Sequence, residues 1–268
     1  MKIMDGKKIA DRELSILKEE VKTRDKTPSL AVVQVGNDPV SSLYIKMKQK
    51  AGKKIGVPVS VYRFTENIST EELQKEISLL EESGIIVQLP LPLSVDTSAV
   101  LNSVPAEKDV DMLSDFSAGK FYNNTTNMLP PLVGAVRCVL MEYKIKVKGA
   151  HVAIVGSGKL VGKPLFLYFV REGATVSMLN RSTKDLSSFT KKADIVVSGT
   201  GSPGVIKGDM IKKGAVVIDT GSSSDKGNVK GDVHRSSVEG KASFLAPVPG
   251  GVGPLTICCL IHNLLYER

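Results

Sequence analysis

The sequence predicts an α/β protein of two domains, and three observations carry that prediction. The chain has 268 residues, which at roughly 150 residues per domain suggests about two. Apolar, β-rich runs alternate with stretches of helical period and no hairpin signal intervenes, the pattern of parallel strands covered by helices. The alternation also occurs twice, the second series following a polar stretch rich in Asn, Asp, Ser and Gly.

The elements follow in order. Asp5 to Val21 spaces Ile9, Leu14, Leu17 and Val21 at near-helical intervals and reads as an amphipathic helix. The run LAVVQVG, Leu30 to Gly36, is a strand closed by the loop GNDP. Ser41 to Lys54 reads as a helix ending at Gly56, and PVSVYRF as a second strand. Ser69 to Glu82 is a third helix, opened by the capping box Ser69-Thr70-Glu71-Glu72. GIIVQLPLP is a third strand stopped by its prolines. Leu101 to Leu132 reads as a linker with loops, and Leu132 to Tyr143 as a helix opening the second unit. HVAIVG is the next strand, followed by a helix from about Val161 to Glu172, the strands ATVSML, DIVVSG and AVVIDTG, and the polar turn SSSDKGNVKGDV. The last helix, Thr256 to Leu265, comes after the second series has ended and is expected to return to the first domain.

Composition narrows the class. With 42% hydrophobic and 24% charged residues and a mean hydropathy of +0.03, the chain is that of a globular protein, not a disordered or fibrous one. Lys and Arg exceed Asp and Glu by 36 to 28, giving +8, which invites a nucleic-acid reading. The charge is dispersed, however, Trp is absent and only 5% of residues are aromatic, so stacking platforms for single strands are scarce. A basic site for anionic small molecules explains the excess equally well. Cys138, Cys258 and Cys259 are odd in number and without CxxC spacing, so neither a disulfide framework nor a metal site is signalled. The first residues carry charges where a secretory apolar core would sit, and no run reaches the roughly 18 apolar residues of a membrane span. A cytoplasmic protein is expected.

The clearest chemical signal is HVAIVGSGKLVGKPL, an apolar strand followed by Gly156, Gly158 and Gly162 and then a helix. Backbone amides at such a helix start, unobstructed by side chains, can approach a pyrophosphate closely. The spacing GxGxxxG is one residue longer than the usual fingerprint; a tight strand-to-helix turn is the plain alternative. The next strand ends at MLNRST, where an acidic residue would accept a ribose 2′-hydroxyl. Asn180 and Arg181 stand there instead. A guanidinium suits a 2′-phosphate, so the residues point to NADP over NAD, unless Arg181 is an ordinary loop arginine.

In the first series Ser41, Tyr44 and Lys48 share one helix face at i, i+3 and i+7, beside an apolar stripe of Leu43, Met47 and Ala51. That places Lys48 at the edge of a buried face. A free lysine titrates at about 10.4, so a general base needs burial or a nearby cation to depress it; taken alone, the pattern reads more readily as an ordinary amphipathic lysine helix. Gln88, in VQLPLP, sits at a strand's C-terminal end, where open α/β sheets place ligands. KDVDM supplies Asp109 and Asp111, as ligands or as turn caps. PVPGGVGP suggests backbone packed closely against something flat, or a rigid connection between domains.

Read together, YIKMK, VQLPLP, KDVD, the glycine loop with VGKP and PVPGGVGPLT resemble the bifunctional methylenetetrahydrofolate dehydrogenase/methenyltetrahydrofolate cyclohydrolase family, in order along nearly the whole chain. The resemblance implies a three-layer α/β catalytic domain over residues 1–117 plus 250–268 and a Rossmann-like NADP-binding domain over 118–249, with a cleft between them. It implies oxidation of 5,10-methylenetetrahydrofolate with NADP to the methenyl cation and hydrolysis of that cation to 10-formyltetrahydrofolate. It also implies a homodimer, with one-carbon tetrahydrofolate derivatives as partners and neither nucleic acid nor membrane. By position, Lys48 matches the catalytic lysine, Tyr44 the tyrosine packed on the folate rings, Gln88 the glutamine that tunes the lysine, and Asp111 the aspartate holding the pterin. Ser41 lines the same pocket, and Pro249, Gly250 and Gly251 fall on the loop closing over the folate. Gly156, Ser157, Gly158, Val161, Gly162, Asn180, Arg181 and Ser182 fall on the cofactor site.

Four positions depart from that pattern. Ser157-Gly158 stands where the family usually has Arg-Ser, and Asn180-Arg181 where it often has His-Ser, so the arginine grip on the 2′-phosphate is expected to have moved to the second loop. Leu129-Pro130-Pro131-Leu132 replaces Pro-Cys-Thr-Pro, and Met112 replaces the glycine after DVD. The alternatives are an NADP-dependent dehydrogenase of the shikimate type, which resembles the two-domain build and the NRS segment but leaves VQLPLP and PGGVGP unexplained, and a non-catalytic NADP-binding or RNA-binding protein.

Overall fold

Every apolar run assigned to a strand from the sequence contains one in the computed structural model, which describes residues 1–225 and 228–266. In chain order the strands are Lys2–Ile3 (β1), Leu30–Val35 (β2), Val59–Phe64 (β3), Gly84–Val87 (β4), His151–Val155 (β5), Thr175–Leu179 (β6), Ile195–Ser198 (β7), Val216–Asp219 (β8), Ser223–Asp225 (β9), Asn228–Lys230 (β10) and Phe244–Ala246 (β11). The chain divides into two units: Asp11–Pro131 with Ile257–Arg268, and Met1–Ala10 with Leu132–Thr256.

The first unit holds a parallel sheet of order β3-β2-β4. All of β2 is buried, as a strand covered on both faces must be. Ala31, Val33 and Val35 on one face pack with Leu73 and Ile77 of the helix Thr70–Ser78 and Val100 and Leu101 of the helix Thr97–Ser103. The helix Pro39–Ile55 reaches the other face, where the Gln34 amide donates to Ser42 Oγ at 3.2 Å. The C-terminal helix also belongs here from Ile257 onward. Its buried Asn263 amide donates to Val110 O at 2.9 Å and Leu129 O at 3.0 Å.

The second unit is built on a six-stranded parallel sheet of order β1-β11-β8-β7-β5-β6. Strand order reverses between β5 and β7, the switch point at which doubly wound sheets bind dinucleotides. Two strands on one side of this sheet, the edge strand β1 and its neighbour β11, were not expected. β1 pairs with β11, which pairs with β8, so Met1–Ala10 belongs to this unit and not to the domain drawn over 1–117. A strand of two residues carries no periodicity from which to read it. Residues 118–131 fall in the first unit and 250–256 in the second, again unlike the boundaries drawn from sequence.

Other differences have local causes. The stretch read as a linker from Leu101 contains the helix Asp115–Asn123, capped by Ser114 accepting from Ser117 N at 3.1 Å. The helix expected over Ser69 to Glu82 ends at Ser78; its reciprocal capping box is present. The polar turn after β8 contains an antiparallel pair, β9 with β10; Lys226 and Gly227 of that turn lie outside the described residues.

Candidate active site

The helix Pro39–Ile55 follows β2 directly. Asp38 caps it by accepting from Ser41 N at 2.7 Å, Pro39 fixes its first turn, and Gly56 ends it at φ 87°. Its buried face is Ser41, Ile45, Lys48, Ala51, Gly52 and Ile55. Of the stripe expected through Leu43, Met47 and Ala51, Ala51 is buried, but Leu43 is exposed and Met47 half-buried, so the stripe is out of phase at its first two positions. Lys48 therefore lies in the middle of the buried face, not at its edge, and is only 9% exposed.

Gln88 follows β4 and continues its ladder, N–H donating to Val33 O at 2.9 Å. Strand order also reverses between β2 and β4, so Gln88 sits at the switch point of the first sheet. Its amide orientation is fixed at both ends. Nε2 donates to Leu89 O at 3.0 Å and Oε1 accepts from Lys48 Nζ at 2.7 Å. Ser41 Oγ donates to the same Leu89 carbonyl at 3.1 Å. Lys48, Gln88 and Ser41 thus form one hydrogen-bonded group, with Tyr44 half-buried one turn along the helix.

Burial lowers Lys48 from its ordinary value, opposed by the charge of Asp111. Burial pushes Asp111 up to about 6, with Lys48 pulling it down and Asp109 pushing it further up. The two groups sense each other, and both are shifted toward neutrality. Asp109 has the structural job. Its buried carboxylate accepts from Leu113 N at 3.2 Å and Ser114 N at 2.9 Å. Within that turn Met112 adopts φ 57°, a conformation easiest for glycine, at a cost of about 1–2 kcal/mol; its side chain is buried in compensation.

In the second unit Gly156 leaves β5 at φ 113°, and its N–H donates to Leu179 O at the end of β6. A Cβ on Gly156 would lie 2.5 Å from Gly199 O, and one on Gly162 2.0 Å from Gly156 O, whereas one on Gly158 would meet nothing within 4 Å. The loop is packed inward and open outward at Gly158. The helix Gly162–Arg171 follows Val161, and no side chain caps it; Lys163 N–H donates to Gly158 O at 3.1 Å and Pro164 has no N–H, so in the first three residues it is the Gly162 N–H that faces a ligand. These features fit a dinucleotide pyrophosphate. Next to them Asn180 closes its own turn, Oδ1 accepting from Ser182 N at 2.9 Å and N–H donating to Thr183 Oγ1 at 3.1 Å. Arg181 is left exposed at the tip.

Pro249, Gly250 and Gly251 lie in a turn of the second unit, packed on the start of the helix Gly6–Lys22. Gly250 O accepts from Lys7 N at 3.2 Å, and a Cβ on Gly6 would lie 1.8 Å from Gly251 O. The backbone of this loop packs closely on the N-terminal helix; a flat partner was the expectation from the sequence. Sequence reading missed Asp219 and Asp232, two buried carboxylates beside the switch point of the large sheet. Their signal was an acidic residue ending an apolar strand and another inside a Gly-Asp-Val triplet.

Residues 4–111 match the family model of the tetrahydrofolate dehydrogenase/cyclohydrolase catalytic domain, and residues 130–268 that of the NAD(P)-binding domain. The chain belongs to the tetrahydrofolate dehydrogenase/cyclohydrolase family. It is 41% identical over 271 residues to the bifunctional protein FolD of Nautilia profundicola, covering 98% of this chain and 95% of that one. With the FolD of Aquifex aeolicus it is 42% identical over 277 residues, covering 99% and 95%. Among solved structures, the bifunctional FolD of Campylobacter jejuni superposes with a TM-score of 0.93 at 35% identity, covering 99% of this chain and 97% of that one. The enzyme of Trypanosoma brucei, complexed with NADP cofactor and inhibitor, gives 0.92 at 32%, covering 97% and 95%. A shikimate dehydrogenase of Aquifex aeolicus gives 0.54 at 19%, a likeness of fold alone.

Proposed function

We propose that this member of the family oxidises 5,10-methylenetetrahydrofolate with NADP and hydrolyses the resulting methenyl cation to 10-formyltetrahydrofolate, with Lys48 as the base of the hydrolytic step. The observation that carries the assignment to Lys48 is its burial on the 2.7 Å bond to Gln88 Oε1. An amide oxygen can only accept, so Gln88 commits one lysine hydrogen and leaves the remainder of the amine for the substrate. Burial lowers Lys48, and a cationic substrate beside it disfavours the ammonium further. The neutral amine takes a proton from water as the water oxygen adds to the methenyl carbon. The carbinol oxygen then gives up its remaining proton and forms C=O as the bond from that carbon to N5 breaks; N5 takes up one proton in exchange, the formyl group stays on N10, and the proton held by the lysine is the one released overall.

Asp111, pushed up to about 6 by burial, faces the pterin in this reading, and Tyr44 and Ser41 line the same pocket. Gly156, Ser157, Gly158, Val161 and Gly162 hold the pyrophosphate of NADP, with Asn180 and Ser182 shaping the turn that presents Arg181 to its 2′-phosphate. Bound there, NADP accepts the hydride from the methylene carbon. The catalytic role goes to the three-stranded unit with the C-terminal helix, and the cofactor role to the six-stranded unit. Cys138, Cys258 and Cys259 are thiols, which favours a cytoplasmic setting. A homodimer rests on the resemblance alone; light scattering at the chain mass of 28.7 kDa would exclude it.

The deciding experiment is Lys48→Met. Loss of a positioned general base costs about a hundredfold or more, so cyclohydrolase turnover is expected to fall by at least that factor while NADP still binds. Parent-level hydrolysis in this variant removes Lys48 from the role.

A further inference from the structure

Two buried carboxylates stand in series at the C-terminal ends of β7 and β8. Asp219, the last residue of β8, is 2% exposed, and Asp232 is fully buried. Asp219 Oδ1 accepts from Gly221 N and Asp232 N, both at 3.0 Å, and its Oδ2 from Val233 N at 2.9 Å. Asp232 in turn accepts at Oδ2 from Ser198 Oγ at 2.8 Å and Thr200 N at 2.6 Å, and at Oδ1 from Ser202 N at 2.9 Å. Every one of these partners is a donor, as an ionised carboxylate requires. Glycines make room for the pair: a Cβ on Gly221 would lie 2.2 Å from Asp232 Oδ1, and one on Gly231 2.1 Å from Asp219 Oδ2.

The loop that Asp232 holds, Gly199 to Ser202, backs the glycine loop. Gly199 O would be 2.5 Å from a Cβ on Gly156, and a Cβ on Gly199 would lie 2.3 Å from Val161 Cγ1. It also leaves β7, the strand across the switch point from β6. In a doubly wound sheet the pyrophosphate lies on the glycine loop and the adenosine ribose at the end of the following strand, so the other half of a dinucleotide extends over the strand across the switch point. The Arg181 turn marks the adenosine side in this chain.

We propose that Asp232, itself anchored by Asp219, is a positioning residue for the cofactor site: it fixes the Gly199 to Ser202 loop beneath the nicotinamide half of NADP and thereby sets cofactor affinity, without acting on the folate chemistry. The proposal rests on the NADP reading above. Hydrolysis of the methenyl cation uses no NADP, so the two activities separate the effects.

The test is Asp232→Asn. The amide has one oxygen where two accept; its NH2 must face a backbone N–H or the Ser198 hydroxyl, which releases one end of the loop. Titration calorimetry of the cofactor-free protein is expected to show the NADP dissociation constant raised about tenfold. Dehydrogenase kcat at saturating NADP and cyclohydrolase turnover are expected to stay within about twofold of the parent. An NADP dissociation constant within twofold of the parent overturns the proposal, and so does an equal fall in both activities with NADP affinity kept. If Asp232→Asn does not fold, Ser198→Ala decides by the same readouts: it deletes one donor to Asp232 and is expected to weaken NADP about threefold, and unchanged affinity overturns the proposal. A parent protein that binds no NADP would instead sink the functional reading itself.

Discussion

Asp111 and Lys48 are linked by opposite demands. The carboxyl is raised from 3.8 to about 6, mainly by burial, so the folded chain binds more protons than the unfolded one across that window. Stability is therefore lost as pH rises through it, and above it the ionised group remains a cost. Asp111→Asn is expected to raise the melting temperature by a few degrees at pH 7.5 and to leave it unchanged near pH 3, where the parent group is protonated in both states. Because Asp111 holds Lys48 up, the same variant is expected to move the acid limb of the cyclohydrolase pH profile to lower pH. An unmoved limb would mean that the two charges are uncoupled in the working enzyme. Arg181 is the other residue whose chemistry can be isolated, being exposed at the tip of a turn closed by Asn180. Arg181→Ala is expected to raise the KM for NADP at least tenfold with little effect on NAD, read as the ratio of kcat/KM for the two cofactors. An unchanged ratio would place the 2′-phosphate elsewhere.

Elements show why the two sites differ in legibility. The glycine loop was readable because its requirements are steric and local: strand, three glycines and helix lie in one continuous run from His151 to Arg171. The structure separates the glycines by role. Gly162→Ala places a methyl group 2.0 Å from Gly156 O, whereas Gly158→Ala points one into open space. Gly162→Ala is expected to lower the melting temperature and weaken NADP together. Gly158→Ala is expected to keep the parent melting temperature yet weaken NADP at least fivefold in calorimetry; full affinity would show that the pyrophosphate does not lie over Gly158. The helix bearing Lys48 was readable in extent but not in phase. Leu43 and Met47 match the apolar period as well as Ile45 does, and only the sheet beneath decides which face is buried. The helix Asp115–Asn123 was hidden by its composition, since Asp, Ser, Gly, Lys and Asn serve turns as readily as a capped helix of nine residues. Asp232 was hidden for another reason: its partners Ser198, Thr200 and Ser202 lie some thirty residues earlier in the chain.

At the scale of the whole molecule, the charge of +8 matches two anionic ligands, a glutamate-tailed folate and NADP, without invoking nucleic acid. The order of the chain has a sharper consequence. Unit boundaries fall between Ala10 and Asp11, Pro131 and Leu132, and Thr256 and Ile257, so neither unit is a continuous segment. The six-stranded unit depends on the first residues of the chain. Met4 is fully buried, its N–H donates to Leu245 O at 2.7 Å, and Ile3 pairs with Leu245 in the strand ladder. Tyr143 Oη accepts from Asp5 N at 2.8 Å and stacks edge-on against Phe244. A fragment covering only 118–249, the boundary drawn from sequence, contains every proposed NADP contact but lacks this strand. Removing a buried methionine side chain alone costs about 2–5 kcal/mol, a large part of the roughly 5–15 kcal/mol that holds a domain folded. The fragment is therefore expected to be largely unfolded by circular dichroism and to show no NADP binding in calorimetry. Parent-like NADP affinity in the fragment would mean that the edge strand from the N-terminus is dispensable to the cofactor unit.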